Sequence, residues 1–80
     1  MTGDYIKLLE IVTEPIQSTN IAAIGFDKVH SIIHIEFKSG GAYRYLECDQ
    51  ELYDGLANAR SVGRFFHVKI RDIKPFVKVA

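Results

Sequence analysis

The stretch IIHIEFKSGGAYRYLEC, residues 32–48, decides the fold. In its first part, β-branched and aromatic residues alternate with polar ones, which is the period-two pattern of a strand with one buried face. Gly40 and Gly41 follow, and paired glycines supply the positive φ angles that a tight hairpin turn requires. The segment AYRYLEC then returns along the first strand. The stretch therefore predicts an antiparallel β-hairpin.

The length of the turn fixes which residues face each other in this hairpin. A two-residue Gly-Gly loop places Lys38 opposite Tyr43 and Phe37 opposite Arg44. Tyr43 and Tyr45 then share the polar face with Lys38, while Arg44 lies near the turn, where its stem packs and its guanidinium reaches water. A four-residue loop preserves this arrangement, whereas a three-residue loop or a bulge reverses it. We expect the two tyrosines to point outward.

Further strands are predicted on both sides of the hairpin. IAAIGFD, residues 21–27, follows turn-forming residues and has the composition of a strand. FVKV, residues 76–79, is predicted as an edge strand, because Pro75 at its start needs no ladder bond. YIKLLEIVTEPIQ, residues 5–17, fits helix and strand equally well.

Two short helices are predicted after the hairpin. Asp49 can cap the first, since its carboxylate can accept from free amides of the first turn. Ser61 can cap the second, in which Phe66 and Ile70 face inward. Together the elements predict an α+β fold, a small antiparallel β-meander of about three to four strands packed against one or two short helices.

The composition is that of one globular domain. The chain has 80 residues, of which 48% are hydrophobic and 25% charged. Cys48 is the sole cysteine, so an intramolecular disulfide is excluded, and no Cys/His spacing suits zinc. We predict no cofactor and no membrane association, and a reducing, cytoplasmic setting is expected.

Charge is unevenly distributed along the chain. Residues 1–59 carry four Lys/Arg and nine Asp/Glu, whereas residues 60–80 carry six Lys/Arg and one acid, so the halves have net charges of −5 and +5. This asymmetry can mark a basic surface for an acidic partner, or the two halves of a small fold can attract each other.

Several segments together resemble a known family, the KTSC domain. The resemblance rests on Tyr43-Arg44-Tyr45, which matches the family's Tyr-x-Tyr hallmark, on Ser18 and Asn20, and on ANARSVGRFF, residues 57–66. It runs from about Ser18 to Phe76 and divides the chain into an N-terminal extension, 1–17, and a KTSC-like domain, 18–80. His67 departs from the pattern, since the family often has Asn there.

The resemblance implies a function only in outline. The family is named for a module at the C-terminus of some bacterial lysyl-tRNA synthetases, and it also occurs as small single-domain bacterial and phage proteins. The synthetase association implies RNA binding. It names no catalytic residue, and fold or family alone does not fix function.

RNA or another single-stranded nucleic acid is the first candidate ligand. Exposed tyrosine rings can stack on unpaired bases, and basic side chains can hold phosphates. The predicted site residues are Tyr43, Arg44, Tyr45, Lys38, Arg64, Lys69 and Arg71. The alternative is that the tyrosines are covered by the C-terminal helix or the N-terminal segment.

Two other classes of function remain. A protein-interaction module would use the same aromatic face or an edge strand, because interfaces favour aromatic residues and Arg. An enzyme is not predicted: His30, His34 and His67 lie on separate elements, and no nucleophile motif accompanies them. His34 is expected to be a solvated surface histidine.

Overall fold

The structure, a computed structural model, describes residues 3–80 and has an α+β fold. The strands are β1 (Thr13–Pro15), β2 (Ile21–Asp27), β3 (Ile32–Phe37), β4 (Ala42–Tyr45) and β5 (Phe76–Lys78). The helices are α1 (Gly3–Leu8), α2 (Gln50–Ala57) and α3 (Val62–Phe66), and α3 continues into a π-helical turn, His67–Arg71. The strands form one antiparallel sheet in the order β1-β2-β3-β4-β5.

The sheet has five strands, where three to four were predicted. The additional strand comes from the N-terminal segment, which was predicted to be either helix or strand. The segment is helical in α1 and extended in β1, so each of the two predictions holds for one part of it. β1 pairs with β2, with Thr13 opposite Gly25 and Pro15 opposite Ala23. The predicted extension, whose residues 1 and 2 lie outside the described part of the chain, therefore contributes an edge of the same sheet.

The hairpin between β3 and β4 has a different register from the predicted one. Its loop contains three residues, because the amide of Phe37 donates to the carbonyl of Gly41 at 2.8 Å and the amide of Gly40 donates to that of Phe37 at 3.0 Å. Gly40 has φ of 111°, a conformation that glycine adopts without strain. Ile35 consequently lies opposite Tyr43.

This register places the tyrosines on the inner face of the sheet. Tyr43 and Tyr45 share that face with Ile33 and Ile35, and Tyr45 is only 4% exposed. The predicted outward orientation is therefore wrong. The prediction that Arg44 lies on the core side near Phe37 is also wrong, because a one-residue change in the loop reverses both faces of the returning strand.

α2, α3 and the π-helical turn cover the inner face. Both predicted caps are confirmed: Oδ1 of Asp49 accepts from the amide of Leu52 at 2.8 Å, and Oγ of Ser61 accepts from that of Arg64 at 3.3 Å. The core joins side chains of the sheet and the helical segments: Ile21, Ile24, Ile33, Ile35, Tyr45, Cys48, Leu56, Val62, Phe66 and Ile70. No helix within residues 3–80 is long and apolar enough to span a bilayer.

Candidate functional site

The tyrosine pair lines an open groove of about 400 Å³ on the inner side of the sheet. Five of the lining side chains are aromatic: Phe37, Tyr43, Tyr45, Phe66 and Phe76. The others are polar: Asn20, His67 and Arg71. We call this the aromatic groove. Its lining comes from β3, β4, β5, α3 and the π-helical turn, together with Asn20 before β2.

The aromatic rings support one another. Tyr43 stacks on Tyr45 with centroids 6.4 Å apart, and Phe66 meets Tyr45 edge-on at 5.3 Å. Phe76 contacts both tyrosines at 5.6 and 5.7 Å, yet its side chain is 54% exposed. Aromatic pairs in these geometries are stabilising beyond their buried area. The groove therefore has a preformed aromatic wall, and Phe76 is its accessible ring.

The tyrosine hydroxyls are available to a ligand. Within residues 3–80 neither the Tyr43 nor the Tyr45 hydroxyl has a hydrogen-bond partner, and no buried polar side-chain atom is left unpaired, so the Tyr45 hydroxyl reaches solvent. Burial raises the pKa of Tyr45, and the neighbouring Tyr43 acts in the same direction. Tyr45 is therefore protonated at neutral pH and can donate a hydrogen bond.

The π-helical turn positions the polar edge of the groove. Nη1 of Arg71 lies 3.1 Å from Nδ1 of His67, and since a guanidinium only donates, the imidazole accepts. A neutral His67 then carries its proton on Nε2 and can donate from there. π-helical turns are frequent at functional sites. This turn presents an imidazole and a guanidinium together, one helical turn apart.

At the other edge of the groove, Asn20 lies in contact range of two further residues of the KTSC-like pattern, Ser18 and Gly63. Its Oδ1 accepts from Oγ of Ser18 at 3.1 Å, and a Cβ on Gly63 would come within 2.7 Å of the same atom. The backbone carbonyl of Asn20 also accepts a hydrogen bond from the backbone amide of Lys38 at 2.9 Å. Gly63 therefore allows α3 to approach Asn20, and Asn20 in turn holds the hairpin loop.

Positive charge surrounds the groove. Nζ of Lys78 lies 6.0 Å from the ring centroid of Tyr43, in cation–π range, and Arg71 lines the groove. Across residues 3–80 no Lys or Arg side chain is paired with a carboxylate, since the ion pairs there involve His30 with Asp27 and His34 with Glu36. Lys78 and Arg71 therefore have no carboxylate partner there and can meet an anionic ligand.

The structure separates the predicted site residues into four places. Tyr43, Tyr45 and Arg71 come together in the aromatic groove. Arg64 and Lys69 line a second surface with Phe65. Lys38 is exposed in the hairpin loop, and Arg44 lies on the opposite face of the sheet.

Arg44 and His34 are buried beneath α1, with 7% and 6% exposure. Nη1 of Arg44 donates to the carbonyl oxygens of Ile6 and Leu9 at 2.6 Å each, and Nε donates to Nδ1 of His34 at 3.0 Å. Nε2 of His34 lies 3.1 Å from Oε2 of Glu36. The expectation of a solvated His34 is wrong, because it did not anticipate that α1 would cover this face.

Sequence reasoning missed several residues of the groove. Asn20 was noted only as part of the family pattern, Phe66 as part of that pattern and as an inward-facing helix residue, and Phe76 only as part of a strand. His67 had a usable signal: it stands four residues before Arg71, so a helix places both on one side. Phe76 had no local signal, because its position depends on the pairing of β5 with β4.

The described part of the chain offers no metal-binding cluster. Within residues 3–80 no group of three or more His, Cys, Asp or Glu side chains is arranged to hold an ion. Cys48 is buried, and burial raises the pKa of its thiol to about 11. At neutral pH the thiol is protonated, which is the unreactive form.

Comparison with known proteins places the chain in a family. The sequence model of the KTSC domain matches residues 17–74. A protein of Tsukamurella paurometabola is 38% identical over 52 residues, which cover 65% of this chain and 78% of the relative. An uncharacterized protein of Stutzerimonas stutzeri is 36% identical over 52 residues, 65% of this chain and 73% of the relative. The crystal structure of a KTSC domain protein from Yersinia pestis superposes with a TM-score of 0.85 at 28% identity, over 89% of this chain and 100% of that one. This chain belongs to the KTSC domain family, as its Tyr-x-Tyr pair predicts.

Proposed function

We propose that this KTSC chain is a binding module for single-stranded RNA, without catalytic activity, and that one unstacked base enters the aromatic groove. The observation that carries the proposal is the groove itself, in which five aromatic side chains lie beside Arg71 and His67, which hydrogen-bond to each other and pair with no carboxylate within residues 3–80. Proteins bind single-stranded RNA through splayed bases that stack on aromatic rings and through cations that hold the phosphates.

Each side chain of the groove has a distinct role in this proposal. The exposed ring of Phe76 stacks on the base, while the Tyr45 hydroxyl donates to its edge. Arg71 and Lys78 contact the phosphates on either side. The role of the tyrosine pair in this proposal differs from the predicted one, in which bases stack on outward tyrosine rings. Tyr45 is buried, so it contributes its hydroxyl and part of the groove wall.

Local charge compensates for the absence of net charge. The chain is neutral overall, so general attraction to phosphate is weak. Affinity then depends on the few cations at the groove. The binding constant falls as salt increases, and each phosphate contact makes the slope of log K against log salt steeper by about 0.7 for a single strand. Binding should accordingly be modest, with a salt dependence set by these few phosphate contacts.

The test is a titration of a labelled uridine oligomer by fluorescence anisotropy at two salt concentrations. We expect Phe76→Ala to weaken binding about tenfold, since one stacked base contributes about 1 to 3 kcal/mol. Arg71→Gln should reduce the salt slope by about 0.7. Lys28→Gln, which removes an exposed cation in the turn between β2 and β3, is the matched control and should change neither. Absence of binding at low salt would refute the proposal.

A protein segment is the second candidate ligand for the same groove. The specific observation in its favour is that β5 is a sheet edge carrying the exposed Phe76. Such an edge can accept an added strand, with Phe76 as an apolar contact. A mainly apolar interface changes little with salt, so the salt dependence separates the two ligands.

A further inference from the structure

A second aromatic ring lies on the neighbouring side of α3, away from the aromatic groove. Phe65 lines an open groove of about 440 Å³ together with Arg60, Ser61, Arg64, Val68 and Lys69. Phe66, the next residue, lines the aromatic groove. Successive residues of a helix project about 100° apart, so the two grooves lie on adjacent sides of one short helix.

The second groove is positively charged. Arg60, Arg64 and Lys69 are all exposed, and no Asp or Glu is among the side chains that line it. None of the three forms an ion pair within residues 3–80. Three unpaired cations around one ring are the combination that holds phosphates beside a stacked base.

Phe65 is held in place by close packing on α2. A Cβ on Gly55 would lie 2.7 Å from Cζ of Phe65, so only glycine lets the ring rest against this helix. The ring is half-buried, and it lines both the groove with the cations and a neighbouring one that contains Asp49 and Glu51. Phe65 is therefore a preorganised platform, which reduces the entropy that a stacked base must overcome.

We propose that Phe65, Arg60, Arg64 and Lys69 form a second RNA-binding site, which takes the next part of the strand that enters the aromatic groove. This inference rests on the proposed function. The two sites are separated by about the width of a helix, on the order of 10 Å, which a few nucleotides span. A strand that reaches across α3 contacts both sites, whereas a shorter strand contacts the aromatic groove alone.

An acidic protein segment is the competing ligand for this surface. Its carboxylates could pair with the same cations, but it would make no use of the adjacent aromatic groove. The two grooves lie next to each other, since the consecutive residues Phe65 and Phe66 line one each, and this adjacency favours one strand of RNA over a separate partner.

The test compares uridine oligomers of about three and about ten nucleotides by fluorescence anisotropy. The double variant Arg64→Gln/Lys69→Gln should weaken binding of the longer oligomer about tenfold and lower its salt slope by about 1.4, because two phosphate contacts are lost. Binding of the shorter oligomer should be unchanged. Both substitutions are at exposed positions, so folding is expected to persist, and thermal unfolding verifies this.

Each outcome decides one of the two proposals. If neither oligomer binds at low salt, the proposed function is wrong and this inference falls with it. If only the longer oligomer binds and the double variant leaves its affinity unchanged, the second site is overturned and the proposed function stands. If both oligomers bind and the double variant affects both equally or neither, only the second site is overturned. A polyglutamate peptide of matched charge is the competitor: if it displaces the longer oligomer as well as unlabelled oligouridine does, the surface recognises acidic segments and not RNA.

Discussion

Arg44 and His34 lie directly opposite each other on β4 and β3, and Nε of Arg44 donates to Nδ1 of His34 at 3.0 Å. The guanidinium also holds the C-terminal carbonyls of α1. The side chain of Arg44, the middle residue of the Tyr-x-Tyr pattern, thus lies on the outer face of the sheet, while the tyrosine side chains before and after it lie on the inner face. Strand β4 connects the N-terminal segment to the candidate site through alternating side chains.

Replacing Arg44 should destabilise the fold. Arg44→Met leaves the carbonyls of Ile6 and Leu9 and Nδ1 of His34 without their donor, and we expect the free energy of unfolding to fall by about 2 to 3 kcal/mol. Urea denaturation measures this change. Lys28→Met, at an exposed position, is the control and should change stability by less than about 0.5 kcal/mol. Equal stability of the two variants would contradict the account of the Arg44 bonds.

Stability should decrease on mild acidification because of His34. Burial lowers the pKa of His34 from 6.5, the charge of Arg44 acts in the same direction, and the bond to Glu36 opposes them. Below pH 6.5 the unfolded chain therefore binds more protons at this residue than the folded chain. The free energy of unfolding consequently decreases as the pH decreases. Urea denaturation between about pH 7.5 and pH 5 measures the decline. His34→Gln should flatten this part of the profile; an unchanged slope would contradict the assignment to His34.

The contact between Gly55 and Phe65 can be isolated by a double-mutant cycle. Gly55→Ala alone gains helix propensity of about 1 kcal/mol but must displace the Phe65 ring, so little or no stabilisation is expected. In a Phe65→Ala background the ring is absent, and Gly55→Ala should stabilise by about 1 kcal/mol. Thermal or urea unfolding of the four proteins gives the coupling. Additive effects would show that the ring does not rest on α2.

Tyr45→Phe should separate binding from stability. The ring packs in the core, but the hydroxyl has no partner within residues 3–80. Its removal should change the free energy of unfolding by less than about 0.5 kcal/mol. Affinity for a short uridine oligomer should fall about three- to tenfold, as expected for one hydrogen bond. If the affinity is unchanged, the hydroxyl does not contact the ligand.

The alternation and cap signals identified most of the elements correctly. β3 was identified from the alternation of its sequence and β2 from its strand-like composition after turn-forming residues, and Asp49 and Ser61 cap the helices because cap chemistry is local. The hairpin register was not predictable in the same way. Adjacent glycines permit loops of two or three residues, and the observed loop, with Gly40 at positive φ, also has a contact outside the turn, the bond from the amide of Lys38 to the carbonyl of Asn20.

The candidate site depended on that register. Tyr43 and Tyr45 were identified from the family pattern, but their environment required knowledge of which face α3 covers and where β5 places Phe76. Such contacts join residues distant in sequence and leave no local periodicity. Burial of Arg44 likewise depends on α1, which is far from it along the chain.

The most direct test of the central proposal is the mapping of RNA contacts by NMR. A short uridine oligomer is titrated into isotope-labelled protein, and chemical-shift changes are followed for backbone amides and aromatic side chains. Binding in the aromatic groove predicts that the largest changes occur at Tyr45, Phe66, His67, Arg71 and Phe76. The absence of changes, or changes confined to α1 and the outer face around Arg44, would contradict it.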